Sequence, residues 1–241
     1  MLVELRRFSH GVYLPITVAL SMGLFALGYV MQIPAYPDGV DLEGTLLGTY
    51  VVLTQLGVFI LPALAASYVC LDFSEKSILF YRDLGMGSVR YFVAKDLCLI
   101  LFFTLGATIG LSVTCLHFGD FRPFLSMLLH FVAVIVTYFS FYTMLACILG
   151  TFIRSYFVSF IYSLVALYVA LSNESLRFLQ FFEQNGFVYK DLERNITDLS
   201  TFTANEMPHI PLCLAYALGI AVLNILVILL LKKRWLENGI R

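Results

Sequence analysis

Six long stretches of this sequence are apolar and contain no Asp, Glu, Lys or Arg. A membrane-spanning helix needs roughly 20 mainly apolar residues. Of the 241 residues, 60% are hydrophobic and 13% are charged, whereas soluble domains are about 45–50% apolar and about 25% charged. We therefore expect an all-α, polytopic membrane protein with a single transmembrane domain over residues 1–241 and six spans, at Gly11–Ile33, Leu46–Cys70, Leu97–Phe118, Pro123–Leu149, Ser155–Leu171 and Ile210–Leu231.

The Lys and Arg residues are distributed unevenly between the two sides of these spans. With both termini in the cytosol, eleven lie in cytosolic segments and four in outer segments. Cytosolic loops of membrane proteins carry an excess of Lys and Arg, so the sequence predicts an N-in, C-in topology. No basic tail or basic–aromatic stripe indicates a nucleic-acid partner.

The spans offer few residues for ion coupling or catalysis. Ion-driven transporters keep ionisable groups in the membrane, and here only His117 and His130 qualify; a structural role is the simpler interpretation of both. Gln55 and Asn224 are expected to hydrogen-bond neighbouring helices. The sequence lacks the HExxH, GxSxG and Walker A patterns, and its five cysteines lie in apolar runs where Cys packs as a small hydrophobe. We therefore predict no catalytic and no metal-binding residue.

Three features within the spans concern helix packing. Gly106 and Gly110 form a GxxxG pair, and Ala215 and Gly219 form a similar pair of small residues. Such pairs permit close helix approach, and they occur in many membrane helices. Pro62 is expected to kink the second span, because proline removes a backbone donor.

The cytosolic segment after the second span predicts a short amphipathic helix over Ser74–Leu84. Ser74 is a candidate N-cap, and Gly85 is placed to end the helix. Tyr81 and Arg82 would then be available to a partner. The alternative is an ordinary interfacial loop helix.

The outer segment between the fifth and sixth spans, residues 172–209, is the longest connection. Its hydrophobic residues alternate with polar ones up to Asn185-Gly186, and this pattern is typical of a segment that lies in the interface or dips into it as a re-entrant turn. A lid packed on the bundle is the alternative. The candidate residues are Leu176, Phe178, Phe181 and Phe182.

The layout resembles the permease subunit of ABC-2 type (type V) ABC exporters over nearly the whole chain. An N-terminal amphipathic stretch places Leu2, Leu5 and Phe8 beside Arg6 and Arg7, like the elbow helix of that family. The cytosolic segment places Glu75 before a Gly87-Ser88-Val89-Arg90 turn and Lys95 at the opening of the third span. Residues 172–209 correspond to the outer re-entrant segment of the family.

The resemblance implies that the Ser74–Leu84 helix is a coupling helix that docks on a separate cytosolic ABC ATPase. Glu75, Lys76, Leu79, Tyr81, Arg82 and Asp83 are the candidate contact residues. ATP and Mg would bind that partner, so this chain would be no enzyme and hold no cofactor. A second permease copy, identical or a paralogue, would complete an exporter in a bacterial plasma membrane.

The resemblance and the aromatic content together favour an amphipathic or hydrophobic substrate, such as an antimicrobial peptide, a toxin or a lipid-like molecule. A non-transporting immunity or sensor protein that binds a peptide is the second hypothesis. A membrane enzyme with an unrecognised site is the third, and no cluster of titratable groups at one membrane depth supports it.

Overall fold

A computed structural model of the protein describes residues 6, 8, 11–34, 39–75, 77–83, 85–184, 186–197 and 209–231. Within these ranges the regular structure is entirely helical. The helices are α1 (Tyr13–Gln32), α2 (Leu42–Gln55), α3 (Gly57–Ser74), α4 (Ser77–Asp83), α5 (Ser88–Phe118), α6 (Phe124–Leu149), α7 (Phe152–Ser172), a 3₁₀ helix (Glu174–Gln180), α8 (Phe187–Thr197) and α9 (Ile210–Leu230).

Six helices are long and apolar enough to cross a membrane, namely α1, α3, α5, α6, α7 and α9. This confirms the prediction of an all-α polytopic membrane protein. We call the end of the bundle that holds α4 the inner end and the opposite end the outer end, following the predicted orientation. Most of the predicted N-terminal amphipathic stretch lies outside the described residues, but Phe8 is buried and stacks on Phe102 of α5, with ring centroids 4.7 Å apart.

The second span is longer than predicted and is divided. Helices α2 and α3 together run from Leu42 to Ser74, and Leu56 separates them while keeping helical dihedral angles of φ −80° and ψ −25°. The carboxylate of Asp41 caps α2 by accepting a hydrogen bond from the Gly44 backbone N–H. Pro62 lies inside α3, so the interruption falls before the proline and not at it.

The third span also begins earlier than predicted. Helix α5 starts at Ser88, after Gly87 in an extended conformation, and not at Leu97. The bundle interior therefore contains Asp72 near the end of α3 as well as Lys95 and Asp96 in α5, all of them buried. The predicted apolar runs contain no charged side chain, but the helices extend beyond those runs and carry these three residues into the interior.

The two glycines of the GxxxG pair in α5, Gly106 and Gly110, pack against α1 of the same chain. A Cβ atom on Gly106 would lie 2.7 Å from the Ser21 Cβ of α1, and one on Gly110 would overlap the Phe25 ring. Such distances are too short for real side chains, so only glycine lets α1 and α5 approach this closely. By contrast, Ala215 and Gly219 lie on an exposed face of α9, and nothing among the described residues lies within 4 Å of a Cβ placed on Gly219.

The buried hydrophobic residues form two clusters. The larger one fills the space between α1, α2, α3, α5, α6, α8 and α9. The smaller one, which we call the inner cluster, lies at the inner end and consists of Val69, Cys70, Tyr81, Tyr91, Phe92, Ala146, Cys147 and Ile228. All five cysteines are free and buried, as expected for packing residues.

Candidate functional site

Helix α4 lies across the inner end of the bundle, between α3 and α5. It begins at Ser77, because Ser74 ends α3 and its hydroxyl donates to the Leu71 carbonyl; the predicted N-cap role of Ser74 was wrong. Gly85 has a φ of +74°, and the Met86 N–H donates to the Tyr81 carbonyl across the turn. A left-handed glycine with this bond is a common end to a helix, so the predicted role of Gly85 is confirmed.

One face of α4 is attached to the bundle through Tyr81. This side chain is only 7% exposed, and its ring centroid lies 5.1 Å from that of Tyr91 in α5. Ile78 and Met86 pack on the same inner cluster. The neighbouring Phe80 is 63% exposed, which makes it the large apolar side chain that α4 presents outward.

Beneath α4, a buried ion pair joins α3 to α5. The Lys95 ammonium lies 2.8 Å from the Asp72 carboxylate, and both side chains are fully buried. The Tyr91 hydroxyl donates to the same carboxylate, and Lys95 donates to the Tyr68 carbonyl at 2.6 Å while lying 4.0 Å from the Tyr68 ring centroid. A buried ion pair persists only where additional hydrogen bonds satisfy it, and here they do. Tyr91 thus touches α4 through its ring and the ion pair through its hydroxyl.

A second buried acid lies one residue further along α5. The Asp96 carboxyl is within 3.0–3.1 Å of Ser140 Oγ and Thr143 Oγ1 on α6 and of Asn224 Nδ2 on α9. We call these four side chains the Asp96 site. The prediction that Asn224 bonds a neighbouring helix is confirmed, and its partner is a carboxyl group that the sequence placed in the cytosolic loop.

The predicted coupling residues take different positions. Glu75 and Asp83 are exposed at the inner end, Leu79 is half-buried, and Tyr81 faces the bundle. Lys76 and the side chain of Arg82 lie outside the described part of the chain. Contact of any of these residues with an ATPase stays a prediction. Sequence reasoning did not select Phe80, although its place between Leu79 and Tyr81 puts it on a different face of a helix from either.

The outer segment is held to the bundle by aromatic contacts. Phe181 stacks on Tyr216 of α9 with ring centroids 4.4 Å apart and an interplanar angle of 7°, and the Tyr216 hydroxyl donates to the Phe178 carbonyl. Phe182 is buried, Leu176 is half-buried, and the Phe178 side chain is 55% exposed. Of the four predicted outer residues, Phe181 and Phe182 therefore pack on the bundle, whereas the Phe178 side chain is exposed and Leu176 is intermediate.

The outer segment reaches far into the bundle. Gln184 accepts a hydrogen bond of 2.8 Å from Gln55 at the end of α2. Gln55 is thirteen residues from the start of that helix at Leu42, which is about 20 Å at 1.5 Å per residue. The segment thus contacts the bundle well below the start of α2, as expected of a re-entrant turn, and α8 leads back from it with Val188, Leu192 and Ile196 buried against the core.

Both candidate histidines have structural surroundings. His130 is buried in α6 and its Nδ1 lies 2.8 Å from the Ser126 carbonyl, while His117 lies edge-on to Tyr29. A third histidine, His209, forms a contact with the Asp191 carboxylate of α8. Within the described ranges, no group of three or more His, Cys, Asp and Glu side chains could hold a metal ion.

Asp72, Tyr91 and Asp96 are not candidate residues in the sequence analysis, and Lys95 is named there only as the opening of the third span. Charged residues beside an apolar run normally mark the end of a membrane span, so the sequence alone favours a position outside the bundle for these side chains. The signal that could have identified them is the adjacent Lys95-Asp96 pair, which directly precedes an apolar run without a Gly or Pro in between and can therefore continue the same helix.

Comparison with known proteins places this architecture in a family. The chain matches the family described as "Peptide export permease protein YydJ family" over residues 1–240. It is 28% identical over 243 residues to the "Probable peptide export permease protein YydJ" of Bacillus subtilis (strain 168), and the match covers 100% of both chains. No solved structure matches the chain. With six helices able to cross the membrane and a match over nearly its full length, this protein belongs to the YydJ family of peptide export permease proteins.

Proposed function

We propose that this chain is the transmembrane permease subunit of an ATP-driven ABC exporter that moves an amphipathic or hydrophobic peptide. ATP and Mg would bind a separate cytosolic ABC ATPase, and a second permease copy would complete the path. The family description, peptide export permease, supports the substrate class. The observation that carries the coupling to an ATPase is the position of α4.

Helix α4 has the features of a lever between a partner and the bundle. Its outward face offers Phe80, with Glu75 and Asp83 exposed nearby, and a central aromatic ringed by polar residues is a common docking surface. Its inward face contacts Tyr91, which hydrogen-bonds Asp72. Because the inner cluster is closely packed and the ion pair is buried, displacement of α4 would be transmitted to α3 and α5 together.

The Gln55–Gln184 pair supports a peptide path on this side of the bundle. Both side chains retain exposure, although Gln55 lies about 20 Å along α2 from its outer end. Exposed amides are unfavourable in lipid, so a polar surface must cover them. A peptide whose backbone has lost its water could exchange hydrogen bonds with these amides, and a second permease copy would close the path around it.

The test is purification of the wild-type chain from its own cells in mild detergent, with mass measurement of every chain that stays bound. We expect an ABC ATPase in equal copy number. Phe80→Ser should lower its recovery about tenfold, as for an interface hot spot. Phe121→Ser, at an exposed phenylalanine of the outer turn between α5 and α6, is the control and should leave recovery unchanged.

ATP-dependent peptide uptake into inverted membrane vesicles completes this test. Recovery of the chain with no ATPase, together with protection of cells from a peptide in the absence of ATP-dependent transport, would contradict the exporter assignment. It would instead support the non-transporting immunity or sensor protein.

A further inference from the structure

We propose that Asp96 is a proton-binding site inside the bundle, occupied while α5, α6 and α9 are packed as in this structure and emptied when α9 moves away. The proposal concerns the permease chain itself and does not depend on an ATPase partner. It assigns a ligand, the proton, to a polar site that the peptide path does not use.

The first argument is charge. Asp96 is 7% exposed, and among the described residues no Lys, Arg or His nitrogen lies within 4 Å of its carboxyl oxygens. Its hydrogen-bond partners are Ser140, Thr143 and Asn224, which are neutral. An ionised carboxylate buried without a counter-charge is strongly destabilising, so such a group takes up a proton or a cation.

The second argument is the count of hydrogen atoms. Thr143 has one hydroxyl hydrogen, and the Phe139 carbonyl lies 2.6 Å from its Oγ1, closer than the Asp96 Oδ1 at 3.0 Å. If the hydroxyl donates to Phe139, as threonine commonly does in helices, the contact between Thr143 Oγ1 and Asp96 Oδ1 holds two oxygens without a hydrogen between them. A proton on Oδ1 supplies that hydrogen, while Oδ2 accepts from Ser140 and Asn224.

The side-chain oxygen of Asn224 also lacks a hydrogen-bond donor among the described residues. The Asn224 side chain is 2% exposed, and no donor in the described ranges reaches its Oδ1. The site therefore contains more buried acceptors than hydrogens, and buried polar atoms are normally paired. One added proton reduces that imbalance without moving any side chain.

The spacing favours a proton over a cation of the size of Ca²⁺. Oxygen ligands at about 2.4 Å from an ion stand roughly 3.4 Å from one another. The Asp96 oxygens lie 3.0 Å from both Ser140 Oγ and Thr143 Oγ1, which is the length of a hydrogen bond. A cation of that size would have to push α5 and α6 apart.

The surrounding charges do not supply an alternative partner. Lys95 is next to Asp96 in the chain but is directed to Asp72 on α3. Between residues 217 and 231, α9 has no titratable side chain. The other titratable groups on elements packed against α5 in the inner half of the bundle are Tyr13 on α1, Tyr68 and Cys70 on α3, Tyr81, Arg82 and Asp83 on α4, and Tyr142 and Cys147 on α6.

These contacts couple the proton to the helix arrangement. Asn224 is the member of the site that α9 contributes, and it bonds both Asp96 and Thr143. Withdrawal of α9 would remove those bonds and admit water, in which a carboxyl group is ionised at neutral pH. Proton release would then accompany opening of the bundle along α9, and proton uptake would accompany its closure.

Infrared spectroscopy of the full chain in lipid nanodiscs tests the occupied state. We expect the carbonyl stretch of a protonated carboxylic acid at pH 7, sensitive to D₂O, present in the wild type and absent from Asp96→Asn. Asp120→Asn, which removes a half-buried acid from an outer turn, should leave the band intact. Absence of the band from the wild type, or its persistence in Asp96→Asn, would overturn the proposal. If Asp96→Asn does not fold, Ser140→Ala is the second variant, and it should shift the band because it removes one hydrogen-bond donor to Asp96. A band that does not shift in Ser140→Ala would also overturn the proposal.

A pH series of unfolding measurements tests release. In the wild type, the unfolding equilibrium constant should rise by up to about tenfold per pH unit between the ordinary pKa of Asp, about 3.9, and the higher pH at which Asp96 ionises in the folded protein, and it should level off above that pH. Asp96→Asn should lack that rise. Equal pH dependence in the two proteins would contradict the proposal. A second result would also contradict the proposal. If sodium stabilised the wild type more than choline did at the same ionic strength, and Asp96→Asn abolished that difference, the ligand would be a metal ion.

Discussion

The inner and outer ends of this bundle are held together by different chemistry. At the inner end, the Asp72–Lys95 pair and the Asp96 site are fully enclosed and connect α3, α5, α6 and α9. At the outer end, Phe181 stacks on Tyr216, and the re-entrant segment meets α2 through the neutral, exposed Gln55–Gln184 pair. Buried charges favour one arrangement strongly, whereas stacking and exposed amides resist change weakly. The inner end is therefore suited to transmit movement, and the outer end to adapt.

The largest effect should come from breaking the inner ion pair. Lys95→Met leaves the Asp72 carboxylate buried without its cation, which typically costs 3–5 kcal/mol, a large part of the stability of a domain. We expect little folded protein in the membrane, measured as the monodisperse fraction after detergent extraction. Lys190→Met removes an exposed lysine of α8 and should extract like the wild type. Normal yield and melting temperature for Lys95→Met would show that the inner end does not depend on this pair.

A smaller effect is expected from the aromatic anchor of the outer end. A double-mutant cycle with Phe181→Ala and Tyr216→Ala should give a coupling of about 0.5–1.5 kcal/mol, the usual value for an aromatic pair, measured from thermal unfolding. Pairing Phe178→Ala with Tyr216→Leu provides the control, since the Phe178 side chain is 55% exposed and the Tyr216 hydroxyl donates to its backbone carbonyl. A coupling energy of about 3 kcal/mol for Phe181 and Tyr216 would mean that the outer end is held as strongly as the inner end.

The smallest effect concerns an exposed ion pair. In the outer turn, hydrogen bonds from Arg122 hold the pKa of Asp120 below its usual value. Stability from this pair is therefore present above the ordinary pKa of Asp and is lost as the pH falls through the lowered pKa. We expect a fall of at most ~2 °C in melting temperature, since exposed pairs contribute little. The fall should vanish in Asp120→Asn and shrink in high salt. A larger fall would mean that exposure does not weaken such pairs here.

Much of this architecture follows from the sequence because it depends on local chemistry. The apolar runs specify the spans, and Gly85 ends α4 through a left-handed backbone that other residues avoid. Leu192 and Ile196 are four residues apart, the spacing of one helix face, and in α8 both are buried.

The buried polar sites could not be predicted in the same way, because they depend on contacts between distant parts of the chain. Asp96 and Asn224 are 128 residues apart in sequence. Whether Lys95 ends a helix or lies inside one is settled only when Asp72 stands opposite it. Burial is likewise a tertiary property, so which of Tyr81 and Phe80 faces the bundle could not be assigned before the position of the short α4 was known.

The close approach at Gly106 and Gly110 has a consequence for how motion in this protein can be observed. Because α1 fills the space that side chains would occupy on α5, neither helix can slide past the other without steric overlap. The two should move as one rigid body. A spin label on the exposed Val30 of α1 would therefore report the displacement of α5, which has no need to be labelled itself, and pulsed distance measurements from that site to α9 would follow the opening of the bundle.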